Sequence, residues 1–120
     1  MSYNPPMPDD CLFCQMAAHE FDADFVYEDD AVFAVRDLHP RAPVHLLIIP
    51  TAHIASARDI TPEHGGLLAR MLVVAKTLAI EEGVHDDGYR LTFNVGEDGG
   101  QTIFHLHLHL LGGRRMGFEG

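Results

Sequence analysis

The most informative stretch of the sequence is Phe104-His105-Leu106-His107-Leu108-His109-Leu110-Leu111, in which three histidines alternate with leucines near the C-terminus. Strict alternation over this length is typical of a β-strand, in which successive side chains point to opposite faces. The three histidines are therefore predicted to share one face, about 6.5–7 Å apart along the strand. The leucines occupy the other face and need an apolar cover. Taken alone, such a run fits a metal site or an incidental histidine-rich strand.

The chain as a whole has the composition of one globular domain. Of its 120 residues, 47% are hydrophobic and 22% are charged, which is enough for a single core without disulfides. The formal net charge of −10 argues against a nucleic-acid partner held by a broad basic face. We expect residues 1–10 to be a flexible leader, because they contain three prolines, and residues 11–120 to form the domain.

Neither a signal peptide nor a membrane span is expected. The leader lacks a basic region followed by an apolar run. Arg70 and Lys76 interrupt the longest apolar stretch. We therefore predict a soluble, cytoplasmic protein with no membrane partner, in which Cys11 and Cys14 are thiols or metal ligands rather than a disulfide.

Apolar runs and turn residues predict the strands and one long helix. Residues 25–28 and 31–36 are expected to form a hairpin across Asp29-Asp30. The continuous apolar run 45–50 is typical of a central strand that is buried on both faces. The remaining elements are a helix over residues 62–82 capped by Thr61, a strand over residues 89–95, and the histidine strand. We predict an α+β fold with a mainly antiparallel sheet, the helix covering the leucines and the histidines facing outward.

A short helix is predicted ahead of the hairpin, over residues 11–18. Asp9 or Asp10 precedes it as the N-cap. Its apolar side is formed by Leu12, Met16 and Phe13.

Two cysteines lie in this short helix at the spacing of half a zinc site. Cys11-x-x-Cys14 needs two further ligands to complete a tetrahedron. A redox pair is disfavoured because no βαβ unit precedes Cys11, whereas structural zinc and simple buried thiols both stay open. Among the histidines outside the run, His53 is the candidate ligand, since it follows the buried strand. We predict ordinary structural roles for His39, His45, His64 and His85.

A glycine-rich loop over residues 96–102 leads into the histidine strand. Glycine lets a backbone approach an anion closely, and consecutive N–H groups can bind one. Because three histidines follow, we expect the N–H groups of Gly100, Gln101 and Thr102 to face a phosphate. The amide of Asn94, at the end of the preceding strand, could reach a sugar or phosphate oxygen.

Several motifs together resemble the histidine triad family and its Hint branch. They follow one another in the family's order: Asp37-Leu38 before a proline-bounded loop, Leu47-Ile48-Ile49-Pro50-Thr51-Ala52-His53, Asn94-Val95-Gly96-Glu97-Asp98-Gly99-Gly100-Gln101-Thr102, His105-Leu106-His107-Leu108-His109-Leu110-Leu111, and Gly112-Gly113-Arg114-Arg115-Met116. The resemblance extends from about Cys11 to Phe118.

The resemblance implies both a fold and an activity. The fold is an antiparallel sheet of about five strands with a long helix, in a homodimer whose two sheets are continuous. The activity is hydrolysis of purine nucleoside phosphoramidates or related nucleotide conjugates to AMP or GMP, without a catalytic cofactor. The alternatives are a dinucleoside polyphosphate hydrolase or nucleotidyl transferase, a nucleotide-binding regulatory protein with little turnover, and a catalytic metal held by the three histidines.

By the same resemblance, His107 is the nucleophile that attacks the α-phosphorus and forms a nucleotidyl-histidine. A neutral imidazole is a usable nucleophile at pH 7, provided that an acceptor such as a main-chain carbonyl holds its second nitrogen. The implied nucleotide contacts are His109, Gly100, Gln101 and Thr102 at the phosphate, Asn94 at the phosphate or bridging atom, Asp37 beside Leu38 at the ribose, and Phe13 and Met16 at the base.

The cysteines resemble those of zinc-binding bacterial members of the family. In those members, two cysteines and two histidines hold the metal. The resemblance therefore implies a structural zinc ion bound by Cys11, Cys14, His53 and His105. Without zinc, His53 and His105 would support His107 in catalysis.

Overall fold

The computed structural model describes residues 10–118. Its helices and strands are α1 (Leu12–Ala17), β1 (Phe25–Glu28), β2 (Val32–Arg36), β3 (Val44–Pro50), α2 (Gly65–Glu81), β4 (Tyr89–Thr92) and β5 (Leu108–Gly112). Two single 3₁₀ turns, Ala57–Asp59 and Pro62–His64, connect β3 to α2. The predicted leader, apart from Asp10, lies outside the described residues, as do Glu119 and Gly120.

All five strands form one antiparallel sheet in the order β1-β2-β3-β5-β4. The hairpin of β1 and β2 is confirmed. Its turn is closed by the Asp29 carboxylate, which accepts hydrogen bonds of 2.8 Å from the N–H groups of Ala31 and Val32. Every residue of β3 is buried between β2 and β5, as its apolar run predicts. The α+β prediction is therefore confirmed.

The leucine face of the last strand is covered by α2, as predicted. Leu106, Leu108 and Leu110 are at most 2% exposed. They belong to the main core cluster together with five buried α2 residues, Met71, Val74, Ala75, Leu78 and Ala79. Full burial of a leucine side chain is worth about 1.5–3 kcal/mol, so this face fixes the orientation of β5. The histidines are thereby turned to the opposite side of the sheet.

The histidine face is covered as well, which corrects the prediction that it faces outward. A second apolar cluster occupies this side of the sheet: Cys11, Phe13, Met16, Phe33, Val35, Leu47 and Ile49. His105, His107 and His109 are only 0%, 9% and 6% exposed. Buried polar rings require defined hydrogen-bond partners, so the environment of each ring nitrogen determines what that histidine can do.

The last strand begins at Leu108, so the prediction that it includes His105 and His107 is wrong. β5 pairs with β3 up to Leu108 opposite Ile48. β3 ends at Pro50, which has no N–H to continue the ladder. The N–H of Leu106 instead donates to the carbonyl of Ile54 at 2.6 Å. The chain before Leu108 is therefore held by the segment that follows β3.

α1 is close to the predicted short helix but has a different cap. The Sγ of Cys11 accepts a hydrogen bond of 3.4 Å from the N–H of Cys14, which makes Cys11 the N-cap. Asp10 lies in a turn, and Asp9 is outside the described residues. Phe13 and Met16 are buried, whereas Leu12 is 42% exposed. Spacing of three residues puts Phe13 and Met16 on one side of the helix, and Leu12 faces away.

The long helix and β4 are confirmed with shorter bounds. α2 begins at Gly65 because residues Pro62–His64 form a 3₁₀ turn, in which Nδ1 of His64 accepts from the N–H of Thr61 at 2.9 Å. Gly83 follows its end with φ of +77°, a conformation that favours glycine. β4 ends at Thr92, so Asn94 lies in the following loop. No helix within residues 10–118 combines the length and apolar character that a membrane crossing needs.

Candidate active site

His107 has the hydrogen bond that a nucleophilic imidazole requires. Its Nδ1 donates to the carbonyl oxygen of His105 at 2.7 Å. Since a carbonyl can only accept, Nδ1 carries the proton and Nε2 keeps the lone pair. Burial lowers the pKa of His107 below its usual value, which keeps the ring neutral at pH 7. The edge of Phe13 packs against this ring at a centroid distance of 5.1 Å.

Four side chains converge next to His107 in a group that we call the cysteine–histidine cluster: Cys11, Cys14, His53 and His105. Cys11 is the N-cap of α1 and Cys14 lies within that helix. The segment after β3 supplies His53, and the bend before β5 supplies His105. One ligand atom from each lies within 4.8 Å of all the others. The structure therefore brings together all four residues of the predicted zinc site.

The distances inside the cluster are those of a tetrahedral coordination shell. Nδ1 of His105 lies 3.3 Å from Sγ of Cys11, 3.5 Å from Sγ of Cys14 and 3.2 Å from Nδ1 of His53. Sγ of Cys14 lies 3.3 Å from Nδ1 of His53. In a tetrahedron with Zn–S of about 2.3 Å and Zn–N of about 2.0 Å, the N–N and S–N edges are roughly 3.3–3.6 Å. The donor set and its spacing fit a metal ion.

The proton on His105 is also placed for metal binding. Its Nε2 donates to the carbonyl of Pro50 at 2.8 Å, so the lone pair is on Nδ1, which faces the cluster. Metal-binding histidines commonly donate their other N–H to such an acceptor. Without a cation, burial and the neighbouring Cys11 raise the pKa of the Cys14 thiol to about 12. A bound cation would instead favour the thiolate.

On the other side of His107 lies a second group, Asp37, His45 and His109, which we call the histidine chain. The His107 and His109 rings are 4.9 Å apart between centroids. Nε2 of His45 lies 3.0 Å from Nδ1 of His109 and 3.4 Å from a carboxylate oxygen of Asp37. Burial lowers the pKa of His109 to about 4. These contacts join β3, β5 and the loop between β2 and β3.

His45 is the site residue that the sequence analysis missed. It is 3% exposed near the start of β3, and the prediction of an ordinary structural role overlooked its contact with His109. A signal was present, because His45 is the one polar residue in an otherwise apolar strand. A buried polar side chain in a central strand must find a partner.

The glycine-rich loop uses two of its three predicted donors for its own turns. The N–H of Gly100 donates to the carbonyl of Glu97, and that of Gln101 donates to the carbonyl of Gly96, both at 3.0 Å. A phosphate contact from either would have to share the hydrogen. Thr102, which follows, is exposed.

The side chain of Gln101 braces the loop rather than facing solvent. It is 5% exposed. Its carbonyl oxygen accepts from the N–H of Gly96 at 3.0 Å, and its amide donates to the carbonyls of Ala55 and Ile103 at 2.8 and 3.1 Å. The loop is thereby tied to the segment that follows His53.

The other predicted nucleotide contacts lie in different environments. Asp37 and Asn94 are half-buried, and Leu38 is 86% exposed. Phe13 and Met16 are buried in the apolar cluster on the histidine face, where Phe13 contacts the His105 and His107 rings. Their roles in binding a ribose, a phosphate or a base remain predictions.

Comparison with known proteins gives one consistent answer. The family model described as "Scavenger mRNA decapping enzyme C-term binding" matches residues 10–119. The purine nucleoside phosphoramidase of Escherichia coli K12 is 45% identical over 92% of this chain and 93% of its own length.

Solved structures agree in fold. A HIT family hydrolase from Legionella pneumophila has a TM-score of 0.90 at 51% identity, covering 91% of this chain and 97% of its own. A zinc-bound histidine triad family protein from Mycobacterium smegmatis has a TM-score of 0.76 at 31% identity, covering 92% and 80%. With these matches over nearly its whole length, the chain belongs to the histidine triad family of hydrolases.

Proposed function

We propose that this protein hydrolyses purine nucleoside phosphoramidates, or related nucleotide conjugates, to AMP or GMP through a nucleotidyl-histidine on His107. The observation that supports this most directly is the 2.7 Å hydrogen bond from Nδ1 of His107 to the carbonyl of His105. It leaves the Nε2 lone pair for attack on phosphorus. The 45% identity to a purine nucleoside phosphoramidase supports the choice of substrate.

The reaction divides into two displacements at the α-phosphorus. Nε2 of His107 forms a bond to phosphorus as the phosphorus–nitrogen bond breaks, and the departing amine takes up a proton from solvent. Water then attacks the same phosphorus and gives up a proton to solvent, the bond to Nε2 breaks, and the nucleoside monophosphate leaves. Covalent catalysis of this kind replaces one difficult step with two easier ones, and no oxidant or reductant is needed.

In this proposal the nucleotide lies across the residues that flank His107. His109 and Thr102 contact the phosphoryl oxygens, with Gly100 and Gln101 contributing only shared N–H groups. Donors fixed beside the phosphorus stabilise charge as it develops in the transition state. The remaining proposed contacts are Asn94 at the phosphate or bridging atom, Asp37 and Leu38 at the ribose, and Phe13 and Met16 at the base.

We also propose that the cysteine–histidine cluster holds a structural zinc ion. The tetrahedral spacing of its four ligand atoms supports this, and a zinc-bound relative shares the fold. Zinc would supply cross-linking of α1 to the sheet rather than chemistry at phosphorus. His105 would then connect the two sites, since its ring faces the cluster and its carbonyl holds His107.

A homodimer through β4 is part of the same proposal. β4 lies at the edge of the sheet, paired only with β5, so a second β4 could continue the sheet. On the neighbouring helix Leu72, Val73 and Ile80 are 47%, 59% and 54% exposed, and apolar side chains in such numbers suit a partner surface. We place the dimer in the cytoplasm, where cysteine ligands stay reduced.

Steady-state release of AMP tests the proposed substrate class. Adenosine and guanosine 5′-phosphoramidates are compared with a dinucleoside polyphosphate at equal concentrations. The proposal expects kcat/KM for the phosphoramidates to exceed that for the polyphosphate. The reverse order would favour a polyphosphate hydrolase, and binding without any product would favour a nucleotide-binding regulatory protein.

A further inference from the structure

The cysteine–histidine cluster has a buried side and a side that reaches the surface. Cys11 and His105 are 8% and 0% exposed, whereas Cys14 and His53 are half-buried. Exposure and thiolate character together determine which cysteines are oxidised, and a metal ion in the cluster keeps its sulfur ligands as thiolates. A small oxidant in solution therefore meets the sulfur of Cys14 first.

The second sulfur is close enough to complete a disulfide. The Sγ atoms of Cys11 and Cys14 lie within 4.8 Å of each other. Cα atoms three positions apart on a helix are about 5 Å apart, which is inside the range of about 4.4–6.8 Å found in disulfides. The chain has two cysteines in all, so this is its one possible intramolecular disulfide. The pair can close by rotation of the two side chains.

A disulfide and a metal ion exclude each other in this cluster. The metal needs both sulfur atoms as thiolates, and neither sulfur of a disulfide carries that charge. Oxidation leaves Nδ1 of His53 and Nδ1 of His105 as the remaining ligand atoms, which is half of the set that a structural zinc site uses. Closing the disulfide therefore releases the metal.

Two connections join the cluster to the proposed nucleophile. The first is His105, whose Nδ1 faces the cluster while its carbonyl oxygen accepts the 2.7 Å hydrogen bond from His107. The second is Phe13, which lies between the two cysteines in the chain. Its ring centroid is 5.8 Å from that of His105 and 5.1 Å from that of His107. A disulfide alters the start of α1 and frees the His105 ring, so both contacts of His107 change together.

We propose that Cys11 and Cys14 form an oxidative modification site: a peroxide closes them to a disulfide, the metal ion leaves, and hydrolysis at His107 slows until a dithiol restores the pair. This inference rests on the proposed function and on the proposed zinc ion. The cysteines are here the target of an oxidant and not a catalyst of thiol exchange, so the role does not need the βαβ unit of a thioredoxin-like enzyme.

Hydrogen peroxide supplies the oxidising equivalents. The Cys14 thiolate attacks one peroxide oxygen, the O–O bond breaks, and the departing hydroxide takes up a proton from solvent to become water. Cys14 is then a sulfenic acid. The Cys11 thiolate attacks the sulfur of that acid, the S–O bond breaks, and the second hydroxide is protonated in the same way. Two electrons pass from the thiolates to the peroxide, which ends as two molecules of water.

Intact mass spectrometry and zinc release test the modification on the full-length, zinc-loaded protein. Hydrogen peroxide is added in steps, released zinc is followed with a metallochromic dye, and free thiols are alkylated after denaturation. We expect a protein lighter by two hydrogen atoms, with both cysteines closed to alkylation and one zinc ion released per disulfide. Dithiothreitol and zinc should reverse these changes, which distinguishes them from methionine oxidation, since that adds an oxygen atom.

Three results of this experiment would overturn the proposal. One is that both thiols stay free while the methionines are oxidised. Another is that Cys14 gains oxygen and no disulfide follows. The third is a disulfide in a protein that retains its zinc.

Cys14→Ser is the matched variant for the activity measurement. It has one thiol and cannot close the disulfide, whether or not it holds zinc. In the wild type we expect peroxide to lower kcat by about tenfold, and dithiothreitol with zinc to restore it. The variant should show no loss that dithiothreitol reverses. Disulfide formation with unchanged kcat in the wild type, or the same reversible loss in Cys14→Ser, would overturn the link to His107.

The readouts also separate this inference from the proposed function. A protein that closes the disulfide and releases zinc, yet hydrolyses no phosphoramidate before oxidation, would refute the proposed substrate class and leave the modification site in place. Phosphoramidate hydrolysis by a protein whose thiols and zinc survive peroxide would do the opposite.

Discussion

The two groups that flank His107 are built from similar residues and behave in opposite ways. In the cysteine–histidine cluster, the ligand atoms face one another across 3.2–3.5 Å, and the proton of His105 is turned away to Pro50. In the histidine chain, each contact has a donor on one side and an acceptor on the other. Lone pairs converge in the first group and alternate with protons in the second.

The difference shows that a group of histidines should be judged by where its protons are. Converging lone pairs are stabilised by a cation, which is the reason for proposing a metal ion in the cysteine–histidine cluster. The histidine chain needs no metal, because its donors and acceptors pair with one another. Nε2 of His109, at the end of the chain, has no partner among the described residues and is left for a ligand. His107 touches both groups, through the carbonyl of His105 and through the ring of His109.

Substitution of His107, which lies between the two groups, should have the largest effect on activity. We expect His107→Ala to lower kcat by about 10⁴-fold, or about 5.5 kcal/mol of barrier, because no other imidazole is placed to attack. Zinc content and AMP binding should stay as in the wild type, since neither group loses a member. Activity is measured by AMP release with His85→Ala, an exposed histidine, as the control. Near-normal turnover would contradict the nucleophile assignment.

Substitution of a single ligand should prevent the cysteine–histidine cluster from binding its metal. Cys14→Ser should lose bound zinc and about 4 kcal/mol of unfolding free energy, because a metal held only by the native state stabilises it by mass action. Metal analysis and urea unfolding, each with and without a chelator, measure this. A chelator should destabilise the wild type and leave the variant unchanged. A wild type that contains no metal and ignores the chelator would refute the zinc site.

The histidine chain should make stability depend on pH. The pKa of His109 is lowered to about 4 in the folded protein, against about 6.5 in the unfolded chain. The unfolded chain therefore binds the proton first, and stability that is present above pH 6.5 is lost as the pH falls towards 4. At about 1.4 kcal/mol per pKa unit this amounts to about 3 kcal/mol.

Urea unfolding of wild type and His109→Gln between pH 7.5 and pH 4 checks this pH dependence, since the comparison cancels the other titrating groups. The variant should show a shallower fall in stability. Parallel curves for the two proteins would contradict the assignment of a buried neutral imidazole at this position.

The smallest effect is expected for substitution of Asp37, the member of the histidine chain that lies in the loop before β3. Asp37→Asn keeps an oxygen for the N–H of His39, which donates to the carboxylate at 2.8 Å. It loses the charge proposed to hold the ribose hydroxyls. We expect KM to rise about tenfold, which is about 1.4 kcal/mol of binding. A fall in kcat at constant KM would instead assign Asp37 to the chemistry.

The sequence predicted the fold well where a local pattern determines it. Alternation in residues 104–111 and the apolar run of β3 gave the sheet and the helix-covered leucine face. The predicted start of β5 was wrong because the start depends on the partner strand β3, which ends at Pro50. The covered histidine face was missed because its cover, α1, lies more than 80 residues away in the chain.

The structure brings the four predicted zinc ligands together, but the sequence did not predict the hydrogen bonds of the candidate site. Spacing alone could not bring Cys11 to His105, 94 residues away, and the family resemblance supplied that pairing. The amides of Gly100 and Gln101 were expected to face an anion, yet the turn type, which spacing does not reveal, engages them within the loop. His45 was overlooked because its partner, His109, is 64 residues away.

The proposed mechanism requires that His107 becomes covalently attached to the nucleotide. Intact mass spectrometry of the protein mixed briefly with adenosine 5′-phosphoramidate tests it, with rapid acid quench and with His107→Ala and His85→Ala beside the wild type. We expect a transient adenylyl adduct on wild type and on His85→Ala, mapped to His107, and none on His107→Ala. An adduct on another residue, or an adduct and AMP release that persist in His107→Ala, would contradict it.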